Sequence, residues 1–280
     1  MIKQLILFAV APLILGCLEV RPSEKGAKDH LSPNVVRDVK KTDWKKKEVL
    51  FEYSGRDDWQ DKWFLDGTKA TITNDQMGMD FAAGPDWKND TSHAVLWTKA
   101  AFEGNMLIEY DFTRTDSTGN GVIIMYFHAT GKGDDDYPED LYDWRDKRTV
   151  PSMRTYFRNL NAYHISYSTN SDVDDDYLRL RRYEHLYHLK GTEILPDNFK
   201  TGLFKYGMTY HIEISRYNEQ IRMEVTDKSN PNESKVYMWD ASSKPLCNHG
   251  RIGLRHMYTR SGRYRDFKVW SIEPRPVESE

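Results

Sequence analysis

The chain alternates apolar and polar side chains in many short segments, which are separated by Gly, Pro, Asn and Asp. Alternation of this kind places successive side chains on opposite faces of an extended strand, so each segment predicts a half-buried β-strand. The twelve predicted strands are residues 48–54, 69–74, 93–99, 105–114, 121–130, 161–168, 177–189, 209–218, 220–227, 234–240, 251–257 and 264–273. Helical periodicity is scarce and no internal repeat is visible. The pattern therefore predicts an all-β, two-sheet antiparallel jelly-roll sandwich.

Two connections between the predicted strands are informative. Asn218 and Glu219 separate two alternating segments and predict a tight hairpin. Residues 131–158 form the longest irregular stretch, which is unusual for an idle connection in a compact domain. We expect this stretch to form a wall of a cleft.

Residues 1–17 have the composition of an export signal. Lys3 precedes an apolar run that ends at Leu15 and is too short to span a bilayer comfortably. Ile14-Leu15-Gly16-Cys17 is similar to the bacterial lipobox, so we expect lipidation of Cys17 in an exported lipoprotein that faces the periplasm or the cell surface. An ordinary cleaved signal, in which Cys17 occurs by chance, is the alternative.

The rest of the chain divides by composition. Residues 18–45 are rich in charged side chains and poor in large apolar ones, which is typical of a flexible tether. Residues 46–275 are expected to form the jelly-roll domain and residues 276–280 a tail. Cys247 is the only other cysteine, so an acylated Cys17 would leave no disulfide within one chain. We expect a monomer stabilised by its core.

Charge and aromatic content narrow the ligand class. The formal net charge is −3, so no basic excess favours a nucleic-acid partner. The chain holds 8 Trp, 17 Tyr and 11 Phe, which no long helix accounts for. In a strand-rich domain these side chains fill the core and also provide surfaces on which sugar rings stack.

Several stretches together resemble the YesU-like family of bacterial polysaccharide-utilisation proteins. They are HAVLWTKAAFEGNMLIEYDF, NLNAYHISYS, YLRLRRYEHLYHLKG, RIGLRHM and YRDFKVW, and the resemblance covers roughly residues 48–272. It implies a concanavalin A-like jelly roll with a concave ligand face, in a context of breakdown of uronic-acid polysaccharides. The family's activity is poorly defined, so the chemistry is argued from the residues.

A uronic acid as ligand would need three functions from the protein. Removal of the C5 proton adds negative charge beside a carboxylate, so a cation must face that carboxylate, a base must face C5 and an acid must face the group leaving C4. His164 is the candidate base, and Tyr167 or Tyr183 the candidate acid. The candidate substrate-binding residues are Asn161, Arg179, Arg181, Arg255, His93 and Trp97. Arginine suits the carboxylate because its planar group forms two parallel hydrogen bonds.

These residues predict β-elimination on uronic-acid-containing oligosaccharides, by a lyase or by a terminal dehydratase. Either reaction leaves a 4,5-unsaturated uronic acid at the non-reducing end. A second hypothesis is a non-catalytic glycan-binding lipoprotein that holds oligosaccharides at the cell surface by aromatic stacking and by contacts with arginine. A third is a glycoside hydrolase that uses Glu109 and Asp111, which share a strand face about 7 Å apart.

Metal signals are weak. The acidic runs at 134–136 and 174–176 lack the spacing of a calcium loop, and we expect them to be solvated turns. Calcium held by backbone carbonyls and one or two Asp side chains remains open. Zinc spacing, a phosphate loop and a serine-hydrolase elbow do not occur in the sequence, so no cofactor is predicted.

Overall fold

The structure, a computed structural model, describes residues 44–119, 121–170 and 175–276. Its strands, numbered in chain order, are β1 (Trp44–Tyr53), β2 (Trp63–Asp66), β3 (Thr71–Asp75), β4 (Gly78–Ala82), β5 (Ala94–Thr98), β6 (Phe102–Glu103), β7 (Met106–Arg114), β8 (Ile123–Gly131), β9 (Leu160–Asn170), β10 (Asp175–Glu184), β11 (Glu193–Phe199), β12 (Thr209–Tyr217), β13 (Gln220–Asp227), β14 (Ser234–Asp240), β15 (His249–His256) and β16 (Ser261–Pro274). One α-helix, α1 (Met153–Asn159), and three short 3-10 helices (Trp59–Asp61, Asp90–Ser92 and Leu141–Arg148) complete these ranges.

The strands form two eight-stranded sheets in which every pairing is antiparallel. Sheet A has the order β14-β13-β12-β7-β16-β4-β3, with β1 also paired to β16. Sheet B has the order β11-β10-β9-β8-β15-β5-β2, with β6 also paired to β15. The predicted all-β two-sheet sandwich is confirmed.

The main hydrophobic core lies between the sheets and follows from the alternation within each strand. On β7, Ile108 and Tyr110 point into the core, whereas the intervening Glu109 points to the outer face of sheet A. On β9, Ile165 and Tyr167 enter the same core from sheet B. These side chains are fully buried, so the register of each strand is fixed by the apolar surface it removes from water.

All twelve predicted strands are present, with ends shifted by a few residues. The predicted hairpin is confirmed, because Tyr217 pairs with Gln220 across Asn218 and Glu219. Sequence reasoning missed β2, β4, β6 and β11, and also α1. Three of these strands are too short to show alternation. The fourth, β11, contains Pro196, which removes a backbone donor and is tolerated because β11 lies at the edge of sheet B.

Residues 131–158, called the covering segment below, pack on the outer face of sheet B. Leu141, Trp144 and Tyr156 from this segment form a second buried cluster with Trp97 and Tyr126 from the sheet. The face of sheet B that points away from the core is therefore largely buried as well, with Arg179 and Arg181 on β10 partly exposed. The sequence predicted a wall of a cleft here, and the segment covers the sheet face instead of only flanking it.

The ends of the chain lie mostly outside the described residues. β1 begins at Trp44, before the predicted domain boundary at residue 46. The predicted signal, Cys17 and most of the predicted tether fall outside the described part of the chain, as do residues 277–280. Within the described ranges, no helix is long and apolar enough to cross a bilayer. Cys247 is buried and free.

Candidate functional site

Two rows of side chains cross the outer face of sheet B. Because directly paired residues of neighbouring strands share a face, the register places them side by side. The first row is Arg181, His164, Tyr126, Gly253 and Trp97, from β10 to β5. The second row is Arg179, Ser166, Ile124, Arg255 and Val95. Tyr183, next but one to Arg181 on β10, extends the same face, so most of the predicted site residues are brought together.

His164 lies at the centre of this face and is 2% exposed. Its Nδ1 atom lies 2.8 Å from the Tyr183 hydroxyl and its Nε2 atom 2.7 Å from the Ser166 hydroxyl. Burial, with the positive charges of Arg181 and Arg255, holds the pKa of His164 well below its usual value. The imidazole is therefore neutral near pH 7 and able to accept a proton.

Tyr183 is fully buried beside the imidazole, with its ring edge-on to the ring of His164 at 5.1 Å between centroids. Burial raises the pKa of its phenol well above 10, and the nearby Tyr126 adds to the rise. Tyr183 thus keeps its proton over the physiological range. It is the group on this face that is best placed to donate a proton next to His164.

Arg181 and Arg179 form the more accessible side of the site. The Arg181 side chain is 13% exposed and donates 2.8 Å to Glu193 and 3.0 Å to the Thr192 hydroxyl. The Arg179 side chain is 24% exposed and lies 3.0 Å from a carboxylate oxygen of Asp197. Both side chains are partly exposed to solvent, so an anionic ligand would meet them first.

Arg255 is fully buried on the other side of the site. Its Nη2 atom donates 2.6 Å to the Pro151 carbonyl of the covering segment and lies 2.9 Å from Nδ1 of His93. Its Nε and Nη1 atoms make no hydrogen bond of ordinary length and angle with the described residues, although the Tyr126 hydroxyl interacts with this charge. A guanidinium is suited to a carboxylate or another acceptor.

His93 supports Arg255 instead of facing the centre of the site. Burial and the adjacent Arg255 lower the pKa of His93 to about 3. The ring is therefore neutral, and its Nδ1 atom accepts from the guanidinium. His93 therefore contacts Arg255, and its predicted role in substrate binding stays a prediction.

Trp97 lies in a stack of aromatic rings and not on an open platform. Its ring is 5.5 Å from that of Tyr126 and 6.3 Å from that of Tyr156, with interplanar angles of 25° and 6°. Gly253 makes this possible, since a Cβ atom there would lie 2.4 Å from the Trp97 ring. Trp97 is fully buried, so its expected role as a sugar-stacking surface is corrected to support of the site.

Asp66 joins the covering segment to the sheet, and sequence reasoning missed it. Its Oδ2 atom accepts three hydrogen bonds: from Trp97 Nε1 at 2.7 Å, from Arg148 Nε at 2.5 Å and from the Tyr156 hydroxyl at 2.7 Å. Tyr156 in turn lies under the Arg255 guanidinium, 4.7 Å from its ring centroid. Asp66 is the last residue of the short strand β2, which carried no signal that could have identified it.

Two predicted residues lie on the opposite side of sheet B. Tyr167 is buried in the inter-sheet core, where its hydroxyl accepts from Tyr110 at 3.1 Å. Asn161 accepts from Arg182, a residue that the sequence analysis did not select. Because odd-numbered residues of β9 point away from His164, neither can share a ligand with it. The roles assigned to Tyr167 and Asn161 were wrong, and Tyr183 is the tyrosine that remains.

Glu109 and Asp111 share a face as predicted, but this is the outer face of sheet A. Lys46 and Trp270 bind Glu109, while His211, Lys228 and Arg265 surround Asp111. These partners outweigh the effect of burial and hold the pKa of both carboxyls below their usual values. Neither carboxyl is therefore set to keep the proton that a glycosidase acid needs.

One group of potential metal ligands lies on the same face of sheet A in the described ranges. Atoms of Glu109, His211 and Glu213 lie within 4.8 Å of one another. Lys46, however, contacts Glu109 and lies 3.8 Å from Glu213, so an ammonium group already balances these carboxylates. We assign no metal to this cluster.

A surface hollow of about 650 Å³ lies away from the polar face of sheet B. Its lining includes Val49, Phe51, Asp61, Lys62 and Lys99. It receives no side chain from the two rows described above. The rows are therefore the more informative site, because they bring together a base, an acid and cations.

A family model for a domain of unknown function, DUF1961, matches residues 50–269. The chain belongs to the DUF1961 family. The uncharacterized protein YesU of Bacillus subtilis (strain 168) is 24% identical over 188 residues, which cover 64% of this chain and 78% of YesU. This identity supports the YesU-like resemblance, and a role in polysaccharide utilisation stays a prediction.

Solved structures support the same fold. A Bacillus subtilis protein of unknown function with a galectin-like fold has a TM-score of 0.63 and 21% identity, covering 83% of this chain and all of that one. Lectin II from Ulex europaeus has a TM-score of 0.54 and 9% identity, covering 82% of this DUF1961 chain and all of the lectin. At these identities the likeness establishes the lectin-like sandwich.

Proposed function

We propose that the outer face of sheet B binds a uronic-acid-containing oligosaccharide and catalyses β-elimination on it. The reaction breaks the C4–O bond and leaves a 4,5-unsaturated uronic acid, either as a lyase at a glycosidic bond or as a dehydratase at a terminal sugar. One observation carries this proposal. His164 is the direct cross-strand partner of Arg181, and the same imidazole is hydrogen-bonded to Tyr183.

The cations on this face suit the carboxylate of a uronic acid. Arg181 is partly exposed beside His164, and Arg255 supplies a second guanidinium, which is buried. Both charges lower the pKa of His164. A bound carboxylate would offset them and raise that pKa, so ligand binding would make His164 a stronger base. The arrangement couples recognition of the acid to removal of its C5 proton.

The acid and the base are adjacent, and the protein keeps each in the required form. His164 is neutral and takes the C5 proton, and the electrons of that bond form the C4=C5 double bond. Tyr183 keeps its proton because burial raises its pKa, and it donates that proton to the departing oxygen. Likeness to lectin II from Ulex europaeus in fold supports a sugar as the ligand.

The direct test is to incubate the protein with uronic-acid oligosaccharides and follow the ultraviolet absorbance of a conjugated unsaturated carboxylate. Replacing His164 by Ala is expected to lower the rate about 10²–10⁴-fold, as for loss of a general base. Absence of any absorbance change on uronic substrates would contradict the proposal.

A matched pair of arginine variants tests the cation. Arg181→Gln is expected to weaken binding of the oligosaccharide, whereas Arg222→Gln is expected to leave it unchanged. Arg222 is a suitable control because it also lies in an ion pair and is 12% exposed, but it belongs to sheet A. Equal effects of the two variants would contradict a specific role for Arg181.

A second candidate function is glycan binding without catalysis. It is favoured by the burial of His164 and by the engagement of both its ring nitrogens, since Ser166 must release Nε2 before a substrate can use it. Binding without turnover, with an affinity that His164→Ala leaves unchanged, would select this function.

We also propose that the protein is exported and anchored to a membrane by a lipid on Cys17, with its domain facing the periplasm or the cell surface. The proposal depends on the lipobox-like sequence before Cys17. Labelling of cells with palmitate is expected to mark the wild-type protein and not a Cys17→Ser variant. Equal labelling of the two would contradict it.

A further inference from the structure

Because the base His164 and the acid Tyr183 lie on one side of the site, only some sugar configurations can react there. We infer that the site selects uronic acids whose C5 hydrogen and C4 oxygen lie on the same face of the ring, as in the gluco and manno configurations. This inference rests on the proposed β-elimination and concerns the substrate class of the same site. The galacto, gulo and ido configurations place these two groups on opposite faces.

The position of the acid relative to the base carries the inference. His164 and Tyr183 project from the same face of sheet B, from the adjacent strands β9 and β10, and their polar atoms are 2.8 Å apart. Two groups in direct hydrogen bond cannot flank a sugar ring from opposite sides. A sugar held against this face therefore presents its C5 hydrogen and its leaving oxygen to the protein from one side.

The hydrogen bond also provides a route for the proton. In the tautomer with its proton on Nδ1, His164 accepts the C5 proton at Nε2 and passes the Nδ1 proton to the oxygen of Tyr183. Tyr183 gives its own proton to the oxygen leaving C4, while the C5–H electrons form the C4=C5 bond. Charge and atoms balance, and the imidazole returns to a neutral form as the other tautomer.

On the side formed by the covering segment, two donor side chains of the buried cluster are already engaged by protein acceptors. Tyr156 reaches the face from this segment, but its hydroxyl already donates to Asp66. Trp144 donates to the Pro138 carbonyl. A sugar of the opposite configuration would therefore bind with its leaving oxygen turned away from Tyr183.

Two pairs of oligosaccharides test the inference with the full-length protein. The first pair is 4-linked oligoglucuronate and 4-linked oligogalacturonate, whose units differ in configuration at C4. The second pair is oligomannuronate and oligoguluronate, whose units differ at C5. At least one of oligoglucuronate and oligomannuronate is expected to gain ultraviolet absorbance at least about 10²-fold faster than its epimer, the scale of a lost general acid.

The Tyr183→Phe variant completes the test. It is expected to retain folding, shown by an unchanged far-ultraviolet circular dichroism spectrum, and to lose the reaction on the preferred oligosaccharide. Turnover of oligogalacturonate or oligoguluronate at a rate equal to or above that of its partner would overturn the inference alone. So would full activity of Tyr183→Phe. No reaction with any of the four substrates would overturn the proposed elimination itself, and the inference with it.

Discussion

Because Asp66 links sheet B to the covering segment, we expect its replacement to cause a large loss in the free energy of unfolding. Replacing Asp66 by Asn keeps the shape of the side chain but removes its charge. The side chains of Asp66 and Arg148 are both 0% exposed, so the variant leaves the guanidinium of Arg148 buried without its carboxylate. Breaking one partner of such a buried pair costs about 3–5 kcal/mol, a substantial part of the roughly 5–15 kcal/mol that stabilises a typical domain.

The structure also indicates which contact is weakened in this variant. The oxygen that binds Arg148 also accepts from Trp97 and Tyr156, so a weaker acceptor loosens the contact between sheet B and the covering segment. Urea unfolding at neutral pH measures the free energy of unfolding. Hydrogen exchange over residues 141–158 measures local opening, which is expected to become faster.

Glu273→Gln provides the matched control, since it makes the same acid-to-amide change in an exposed pair with Lys45. Its free energy of unfolding is expected to be indistinguishable from that of the wild type. A loss of less than about 1 kcal/mol in Asp66→Asn would refute the reasoning, because it would show that Arg148 needs no charged partner.

Three further predictions concern pH and packing. The hydrogen bond to Asp111 raises the pKa of His211. Protonated His211 therefore stabilises the folded state fully below the unfolded pKa of about 6.5, and this contribution is lost as the pH rises through the folded pKa. The difference in free energy of unfolding between the wild type and His211→Gln should shrink over that rise in pH. Burial lowers the pKa of His256 to about 3, so on acidification the unfolded state binds a proton at this side chain before the folded state does. The free energy of unfolding should therefore fall as the pH drops below about 6.5, and it should fall less in His256→Gln. Gly253→Ala should cost about 1–3 kcal/mol and change the Trp97 environment, seen in near-ultraviolet circular dichroism, and an unchanged melting temperature would contradict the close approach.

The fold was largely predictable because it depends on a local property. Alternation along segments such as 105–114 and 161–168 is set by which side chains can be buried, and each predicted strand is present. The strands that were missed show why the rule has limits. β2 is too short to alternate, and β11 contains a proline that only its edge position explains.

The candidate site was only partly predictable. Alternation along β9 places His164 and Ser166 on one face and Tyr167 on the other. Register between strands is not a local property, so the pairing of Arg181 with His164 could not be read from the sequence. The same holds for Asp66, whose partners are far away in the chain.

The sequence by itself determined that this protein is a β-sandwich and which residues of each strand share a face, because side-chain direction in a strand has a period of two. Tertiary structure decided which faces meet. It placed Arg181, His164 and Tyr183 side by side, buried His164 and Tyr183, and put Tyr167 into the core. The physical reason is that burial and charge act through neighbours in space, and these set the protonation of His164 and Tyr183.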